Sequence, residues 1–600
     1  MALAPVVVCL SRTGEETARR IADILDCGIH GLARRTENAD VKFDNAADHL
    51  QSLFVAGTPI IGVCATGILV RVLSPFLASK STEPPVLAVA EDGSAVIPLL
   101  GGHRGANRIA RHLAENLGCH AAVTTAGDVT LGVALDEPPP GWRLANPEHA
   151  GAAMADLLAG AGARIEGENV FGLEARPDGR ISLVATEQAE PADKGKLVYH
   201  PVQFVLGVGC SRGCEAEELA ALADSVLTRS GIAPGSIACV ASLDLKADEP
   251  AVFELADSLD VPLSLFSAAE LEAESHRLAN PSEVVFREVG CHGVAEAAAL
   301  AVSGDAGRLV VEKTRTKNAT CALARSRTPI VSIPGRRRGS LAIVGLGPGK
   351  AEWRTPEAIR MIARADEVVG YDSYIDLLGP LAAGCTRTGF SLGQERERCR
   401  YALEQAGAGR QVVLVSSGDA GIYAMASLVY EMLDRATEGN GLSDAAGRVE
   451  VVCAPGVSAM QAAAARTGAL LGHDFCAISL SDLLTPRDVI LRRIRAAAEG
   501  DFVIAFYNPS SRQRRGLVGT AKDILLDFRP ANTPVVLARS LGRPGERLAY
   551  ATLAELDVGG TDMLTTVLVG SSRSRSFQVG GRTRVYTPRG YETRGEACSP

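Results

Sequence analysis

Three glycine-rich turns in the second half of the chain each follow a largely apolar run that is typical of a buried strand. In chain order, the turns are Gly345-Leu346-Gly347-Pro348-Gly349, the stretch SSGDAGIY from Ser416 to Tyr423, and Pro455-Gly456-Val457-Ser458-Ala459. When buried parallel strands end in such turns, the turns meet at the sheet edge where open α/β sheets bind ligands. The sequence therefore predicts a small-molecule site built from three loops at one sheet edge.

The first turn is not one of the two common nucleotide-binding motifs. A dinucleotide fingerprint needs G-x-G-x-x-G with free amides facing a pyrophosphate. Here Pro348 has no amide hydrogen, and Lys350 stands where the third glycine should be. A P-loop needs glycine five residues before a Gly-Lys pair and Ser or Thr after it, whereas Val344 and Ala351 occupy those positions.

The three turns together resemble the tetrapyrrole methyltransferases. That family binds S-adenosylmethionine through G-x-G-P-G, a central G-D-x-x-x-Y/F loop and a P-G-[IV]-[ST]-A turn. The first and third motifs match, and the second matches as well, with Tyr423 at its aromatic position. The stretches VGYDSY from Val369, SSGDAGIYAM from Ser416 and AFYNPS from Ala505 are similar to the precorrin-3B C17-methyltransferases. This resemblance implies S-adenosylmethionine as cofactor, C17 methylation with ring contraction of a precorrin, and a homodimer.

The same resemblance implies which residues bind the cofactor. Methyl transfer from a sulfonium depends on in-line approach and a dry pocket more than on acid or base help, so loops that bind by their backbone suffice. Asp419 could also cap the helix that follows it. The cofactor-binding residues carried over from the family are Pro348, Gly349, Gly418, Asp419, Ile422, Ser458, Ala459, Asn508 and Gly542.

Ring contraction requires an acid, and the sequence leaves its identity open. Tyr371, Tyr374 and Tyr423 are possible donors, and each could equally be a packed aromatic with a satisfied hydroxyl. We expect Tyr371 and Tyr374 to bind substrate. The arginines Arg396, Arg398 and Arg400 would fan round a helix rather than share a face, so none is selected.

Several motifs of the first half look like the cobalt-precorrin-5A hydrolases, over about residues 1–325. The motifs are TGILVR from Thr66, IPLLGGHRGAN from Ile97, GVGCSRG from Gly207 and DLKADEP from Asp244. That family opens a lactone and releases acetaldehyde. One departure is that family members read G-H-x-G-G-A-N, whereas this chain, with His103-Arg104-Gly105-Ala106-Asn107, is one glycine short.

Lactone hydrolysis needs a base or activated water and a group that stabilises the oxyanion. We expect His103 and Asn107 to be the catalytic residues, although His103 could instead cap a helix or bind a substrate carboxylate. The cationic residues Arg71, Lys80 and Arg104 suit the carboxylates of a corrin precursor. Lys246 is a further substrate-binding candidate. The alternative for the whole half is a non-catalytic module that binds the tetrapyrrole.

The predicted fold class is a multidomain α/β protein with open, mostly parallel sheets. Strands and helices alternate from the N-terminus, which predicts parallel pairing, and the C-terminal half is expected to have the two-lobed tetrapyrrole methyltransferase fold. The expected units are a hydrolase-like domain (1–140), a small α/β region (141–202), a second hydrolase-like domain (203–325), a linker (326–340), and a methyltransferase (341–590) with lobes of about 341–455 and 456–590.

Composition narrows the classes of partner. A net charge of −9 and a pI near 5.7 argue against nucleic acid, because phosphate binding needs a basic face. The uncharged stretch Leu50 to Val70 contains Pro59 and several polar residues, so two buried strands fit it better than a membrane span. Fourteen scattered cysteines fit a reducing compartment and no metal site. We therefore expect a cytoplasmic protein.

Overall fold

The structure is a computed structural model that describes residues 4–77, 83–382, 385–435, 441–509, 516–557, 559 and 561–591. Within these residues the strands form six sheets, flanked by helices. Most strand pairs are parallel, which confirms the predicted α/β class.

The first sheet has seven strands in the order β3-β2-β1-β4-β5-β6-β7. Strands β1 to β5 are mutually parallel, whereas β6 runs antiparallel to β5 and β7 runs parallel to β6. The turn after β6 therefore lies at the opposite sheet edge from the turn after β4. The elements are β1 (Val6–Cys9), α1 (Glu15–Leu25), β2 (Ile29–Leu32), β3 (Val41–Phe43), α2 (Ala46–Ala56), β4 (Ile60–Val63), α3 (Thr66–Leu73), β5 (Val86–Val89), β6 (Ala95–Leu100), α4 (Ala106–Leu117), β7 (His120–Ala121) and α5 (Ala126–Thr130).

A four-stranded sheet and a five-stranded sheet follow, with strand orders β8-β11-β10-β9 and β14-β13-β12-β16-β15. Helices α7 and α8 cover one face of the five-stranded sheet and α11 covers the other. The elements are β8 (Trp142–Leu144), α6 (Pro147–Leu158), β9 (Ala163–Glu166), β10 (Ile181–Ala185), β11 (Lys196–Pro201), β12 (Phe204–Cys210), α7 (Ala216–Ser230), β13 (Ile237–Leu243), α8 (Pro250–Ser258), β14 (Leu263–Phe266), α9 (Ala268–Glu272), α10 (Glu283–Val289), α11 (Ala295–Ser303), β15 (Arg308–Arg315) and β16 (Ala319–Arg325).

Next comes an all-parallel sheet in the order β19-β18-β20-β17-β21, which we call the first lobe. Its strands carry apolar side chains on both faces, as expected when helices cover both sides. The elements are β17 (Ser340–Gly345), α12 (Pro356–Ala363), β18 (Glu367–Tyr371), α13 (Asp372–Asp376), β19 (Thr386–Phe390), α14 (Glu395–Gly407), β20 (Gln411–Ser416), α15 (Met425–Asp434) and β21 (Glu450–Ala454).

The remaining residues form a second lobe with a mixed sheet, β23-β24-β27-β25-β26, and a small sheet, β22-β29-β28. Only β23 and β24 are parallel in the larger sheet. The elements are α16 (Ala459–Thr467), β22 (Gly468–Ala469), β23 (Phe475–Ser479), α17 (Arg487–Glu499), β24 (Val503–Tyr507), α18 (Leu517–Leu526), β25 (Pro534–Arg539), β26 (Arg547–Thr552), β27 (Thr565–Val569), β28 (Arg575–Val579) and β29 (Arg582–Tyr586).

Among the described residues, the first half contacts the first lobe through helix α2 and through the segment that precedes β17. Helix α2 packs on α12 and on the 3₁₀ turn Gly379–Ala382. The segment before β17 pairs with β14, because the backbone amides of Leu265 and Arg336 each donate to the other's carbonyl at 2.8 Å. The Arg336 guanidinium also pairs with Asp244 at 3.1 Å and Glu270 at 3.4 Å.

Two buried histidines join β2 to α2. Nδ1 of His30 lies 2.9 Å from Nε2 of His49, and the Phe43 ring stacks on His49. One nitrogen must donate and the other accept, so the two rings cannot both be protonated while the contact is kept. Burial lowers the pKa of His30 to about 4, partly opposed by Asp40, and burial together with His30 lowers the pKa of His49 to about 3.

We predict that acid loosens this region. Both folded pKa values lie below the value of about 6.5 for an unfolded histidine, so the unfolded state binds more protons and stability falls as the pH drops from about 6.5 toward 4. Hydrogen exchange of the α2 amides should report a loss of about 1–3 kcal/mol between pH 7 and pH 5. The decline of the exchange free energy with falling pH should be shallower in His49→Gln. It should be unchanged in His112→Gln, because His112 is exposed. A pH-independent exchange free energy for α2 would contradict the prediction.

Candidate functional site

The three glycine-rich turns converge where β17, β20 and β21 end. Gly347 and Gly418 form a two-way backbone bridge, with amide-to-carbonyl distances of 3.1 and 2.9 Å. Both residues have φ of +72°, a conformation that glycine adopts without strain. Parallel pairing of β17 with its two neighbours brings their carboxyl ends together, and the bridge then fixes the first turn against the second.

A glycine from each turn makes this approach possible. A Cβ atom on Gly345 would lie 2.6 Å from the Gly418 carbonyl oxygen and 3.0 Å from Cα of Gly456. A Cβ atom on Gly456 would collide with the Gly418 oxygen and lie 2.8 Å from the Gly345 carbonyl oxygen. Any side chain at Gly345 or Gly456 would therefore push the turns apart.

Asp419 ties the second turn to the third. Its Oδ1 accepts the Gly421 amide at 2.8 Å, and its Oδ2 accepts the Gly456 amide at 3.0 Å. The carboxylate lines the cleft beside the turns and carries a negative charge into it. Its local structural role is therefore to bind two backbone amides rather than to cap the helix α15.

The second lobe closes the cleft with polar side chains on β24 and its neighbours. The Tyr507 hydroxyl accepts the Met460 amide at 3.2 Å, and Nδ2 of Asn508 donates to Ser479 Oγ at 3.1 Å. Tyr423, at φ +51°, donates its hydroxyl to the Ala477 carbonyl at 2.9 Å, so a first-lobe loop is tied to β23. A tyrosine at positive φ is strained, and such strain concentrates at functional sites.

Arg543 joins the lobes across the cleft. Its Nε donates to the Pro348 carbonyl at 2.7 Å and its Nη2 donates to Ser417 Oγ at 2.7 Å. Gly349 and Gly542 lie against each other at the same junction, because a Cβ on Gly349 would lie 2.6 Å from the Gly542 oxygen. The first turn is thus held from the second lobe as well as from Gly418.

Tyr374 lines the first-lobe side of the cleft, and Tyr371 packs against it. The rings of Tyr371 and Tyr374 meet edge to face with centroids 5.2 Å apart, and Tyr374 lies 5.6 Å from the Arg543 guanidinium. Burial raises the pKa of Tyr374, and the positive charges of Arg543 and Arg398 partly oppose that rise. Tyr374 is therefore a neutral hydroxyl at neutral pH, able to donate or accept a hydrogen bond.

The structure brings most of the predicted cofactor-binding residues into one cleft of about 170 Å³. Pro348, Gly418, Asp419, Ile422, Ser458, Ala459 and Asn508 line it directly, together with Tyr374. Gly349 and Gly542 meet at its rim. The cleft is also lined by residues that were not predicted from the sequence, namely Ser417, Tyr507, Arg543, Thr565 and Thr566. Arg543 directly follows Gly542, which was predicted to bind the cofactor, and this position in the sequence could have indicated Arg543 as a cleft residue.

The hydrolase-like candidates gather in part at the turn after β6. Asn107 is buried and its Nδ2 donates to Thr125 Oγ1 at 2.8 Å, so the carboxyl ends of β6 and β7 are joined. The backbone of His103 forms a 3₁₀ turn between Gly101 and Gly105, both at positive φ, but its side chain lies outside the described part of the structure. Arg104 is exposed on that turn.

The other substrate-binding candidates are dispersed. Arg71 is exposed on α3 and donates to its own helix, at the Gly67 carbonyl, 3.2 Å away. Lys80 lies outside the described residues. Lys246 belongs to the turn after β13, next to Glu249, which is buried and paired with Arg212 at 2.9 Å. The DLKADEP motif thus places Glu249 as a structural anchor for the loop after β12.

Two classes of feature are absent from the described residues. They contain no group of three or more His, Cys, Asp or Glu placed to hold a metal ion. Over the same residues, no helix combines the length and hydrophobicity that a membrane span requires.

Three stretches of the chain match known families. Residues 48–128 match the Cobalamin synthesis G N-terminal family, residues 204–324 match Cobalamin synthesis G C-terminus, and residues 340–557 match the Tetrapyrrole (Corrin/Porphyrin) Methylases. The matches cover separate sheets, with the methylase match beginning at β17.

Named relatives match the second half. The chain is 46% identical over 254 residues to a Precorrin-3B C(17)-methyltransferase from Sinorhizobium sp, an alignment that covers 42% of this chain and 97% of that protein. It is 44% identical over 251 residues to a Probable cobalt-factor III C(17)-methyltransferase from Salmonella typhimurium, covering 42% and 99%. The match to Cobalamin biosynthesis protein CobIJ from Mycobacterium bovis, 40% over 279 residues, covers 45% of this chain and spans about half, 53%, of that longer protein.

These relatives align along nearly their whole length with the two lobes that build the cleft. Through its second half, the chain belongs to the tetrapyrrole (corrin/porphyrin) methylases.

Proposed function

We propose that the second half is an S-adenosylmethionine-dependent methyltransferase that acts at C17 of precorrin-3B or of its cobalt counterpart and promotes ring contraction. The observation that carries this proposal is the convergence of three glycine-rich turns on one cleft between the lobes. The names of the Sinorhizobium and Salmonella relatives support methylation at C17. The first name gives precorrin-3B as the macrocycle and the second gives cobalt-factor III.

The cleft fits the cofactor on three counts. Bare glycine backbone allows a flat adenosyl group to approach closely. The Asp419 carboxylate faces the cleft, where a sulfonium or ammonium would be stabilised by a negative charge. Ile422 and Leu541 supply apolar surface, and Asn508 supplies a donor and an acceptor. When bound, the cofactor supplies the electrophilic methyl group.

The side chains that join the two lobes hold the reactants in position and keep water out of the cleft. Arg543 and Tyr423 hold the lobes together on either side of the cleft, which restricts water and fixes the geometry of approach. We assign the acid step of ring contraction to the neutral Tyr374 hydroxyl, because Tyr371 is not among the residues that line the cleft and the Tyr423 hydroxyl already donates to Ala477.

The full-length protein should transfer label from methyl-labelled S-adenosylmethionine to a tetrapyrrole. Precorrin-3B and cobalt-factor III would be offered separately, and product mass would distinguish simple methylation from methylation with ring contraction. If only precorrin-3B becomes labelled, the substrate is the metal-free macrocycle. If only cobalt-factor III becomes labelled, the substrate is the cobalt form. Absence of label from both would contradict the proposal.

Gly456→Ala should weaken cofactor binding, because the new methyl group collides with the Gly418 carbonyl and separates the second and third turns. We expect the Kd for S-adenosylhomocysteine, measured by calorimetry, to rise by at least about tenfold, which is about 1.4 kcal/mol. Gly447→Ala is the matched control, since nothing lies within 4 Å of a Cβ there. Equal affinities in the two variants would show that turn contact does not govern binding.

We propose that the first half is a cobalt-precorrin-5A lactone hydrolase, with His103 as base and Asn107 ordering the turn. The two Cobalamin synthesis G matches and the Asn107–Thr125 bond support this proposal. The alternative, a module that only binds the tetrapyrrole, predicts macrocycle binding without acetaldehyde release.

Acetaldehyde release separates these two readings of the first half. Full-length protein given cobalt-precorrin-5A should release acetaldehyde, and His103→Ala should lower the rate by about 10²-fold or more, as expected for loss of a general base. Methyl transfer in His103→Ala should remain at the wild-type rate. No acetaldehyde from the wild-type protein would favour the binding module.

We further propose that the protein works in the cytoplasm as a homodimer. The thirteen described cysteines are all free thiols, which supports a reducing compartment. The dimer rests on the family resemblance, and sedimentation of the full chain would test it.

A further inference from the structure

The loop between β25 and β26 lines the cleft in a strained conformation. We call residues 540–546 the rim loop, of which Ser540, Leu541 and Arg543 line the cleft directly. Ser540 has φ of +51° and Gly542 has φ of +70°. A non-glycine residue at positive φ is strained and persists only where the surrounding structure holds it. The rim loop therefore depends on contacts that fix its shape.

Glu546 fixes the rim loop from its own end. Its Oε2 accepts the Gly542 amide at 2.7 Å, and its own amide donates to the Arg543 carbonyl at 3.1 Å. These two bonds close the loop on itself. Nε of Arg466, in the last turn of α16, lies 3.4 Å from Oε1 of Glu546. The carboxylate is thus held between a backbone amide of the loop and a cation on a neighbouring helix.

Trp353 connects this support to the first glycine-rich turn. It ends the 3₁₀ turn that follows the first turn, and its side chain packs on the core of the second lobe. The Arg466 guanidinium lies over its ring, 4.7 Å from the centroid. A Cβ atom on Gly542 would lie 3.0 Å from Cζ3 of the ring, and one on Gly347 would lie 3.0 Å from the Trp353 carbonyl oxygen. Trp353 therefore lies between the first turn, the rim loop and α16.

The contacts of Arg466 contribute more to position than to stability. The side chains of Arg466 and Glu546 are 37% and 29% exposed. An ion pair that is partly open to water adds little to the free energy of unfolding, and a cation over an aromatic ring at such a site adds a similarly small amount. The pair can therefore be removed without unfolding the chain, while the rim loop loses the bond that holds Gly542.

We propose that Trp353, Arg466 and Glu546 are positioning residues that hold the rim loop against the first turn in the shape that binds the cofactor. This inference rests on the proposed function, in which the cleft binds S-adenosylmethionine. The three residues are not among those that line the cleft. Each acts on the ligand through the rim loop, whose residues do line it.

The test compares full-length variants that differ in the acceptor offered to the Gly542 amide. Glu546→Ala removes this acceptor, whereas Glu546→Gln keeps an acceptor oxygen. Glu555→Ala is the matched control, because Glu555 accepts the Thr552 amide at 3.3 Å at the other end of β26. Arg466→Met is a second variant, which removes the cation that holds the Glu546 carboxylate. Thermal unfolding is measured for all four.

Binding of S-adenosylhomocysteine is measured by calorimetry, which needs no turnover. Glu546→Ala and Arg466→Met should raise the Kd at least about fivefold, while Glu546→Gln and Glu555→Ala stay within about twofold of wild type. The Tm of Glu546→Ala should fall by less than about 4 °C, as expected for a partly exposed pair. In turnover, the KM for S-adenosylmethionine should rise by a factor similar to the Kd while kcat stays within about twofold, because the change does not touch the reacting atoms.

The outcomes separate this inference from the proposed function. If the wild-type protein does not bind S-adenosylhomocysteine, the proposed function is overturned, and the inference that rests on it falls as well. If the wild-type protein binds and both Glu546→Ala and Arg466→Met match its affinity, the inference alone is overturned. Equal losses in Glu546→Ala and Glu546→Gln, or a fall in kcat at unchanged KM, would also overturn it. Should Glu546→Ala fail to fold, the affinity of Arg466→Met decides in the same way.

Discussion

The cleft depends on the direct backbone contact of three glycines, one at the end of each of three neighbouring parallel strands. Gly345, Gly418 and Gly456 approach so closely that no Cβ atom could be added to Gly345 or Gly456. The Asp419 carboxylate then fixes the arrangement by accepting amides from the second and third turns. This contact therefore fixes the three turns that line the first-lobe side of the cleft.

The second lobe completes the cleft by binding to these turns. Arg543 of the second lobe donates two hydrogen bonds to the first lobe, at Pro348 and Ser417, and Tyr423 of the first lobe donates one to Ala477 of the second. A single parallel sheet would offer one ligand-binding edge open to water. Two lobes joined by such bonds can exclude water from a methyl transfer, in which the geometry of approach supplies most of the rate.

Much of the cleft could be predicted from the sequence, because it is built largely from the main chain of glycine-rich turns. Glycines at strand ends, such as Gly347 and Gly418, are visible in a sequence and their spacing indicates how the turns meet. Arg543 was not predictable in the same way, since its role depends on which side chains the two lobes bring within reach. Of three arginines two residues apart, only the structure shows that Arg398 is the buried one.

In the first half, the direction of one strand could not be predicted from the sequence. Alternating strands and helices predicted parallel pairing, but β6 reverses direction, which places the His103 turn at the opposite edge from the loop after β4. Hairpin pairing of β5 with β6 depends on a turn of only a few residues, and the apolar pattern of both strands is the same in either direction. The contact of α2 with α12 joins two units whose sequences carry no shared motif.

A crystal structure of the full-length protein with S-adenosylhomocysteine would test most directly whether the three turns form the cofactor site. We expect electron density for the ligand between the lobes, in contact with the backbone of Gly418 and Ser458 and bounded by Asn508 and Arg543. Density for the ligand at any other position, or three turns that separate when it binds, would show that the turns do not form this site.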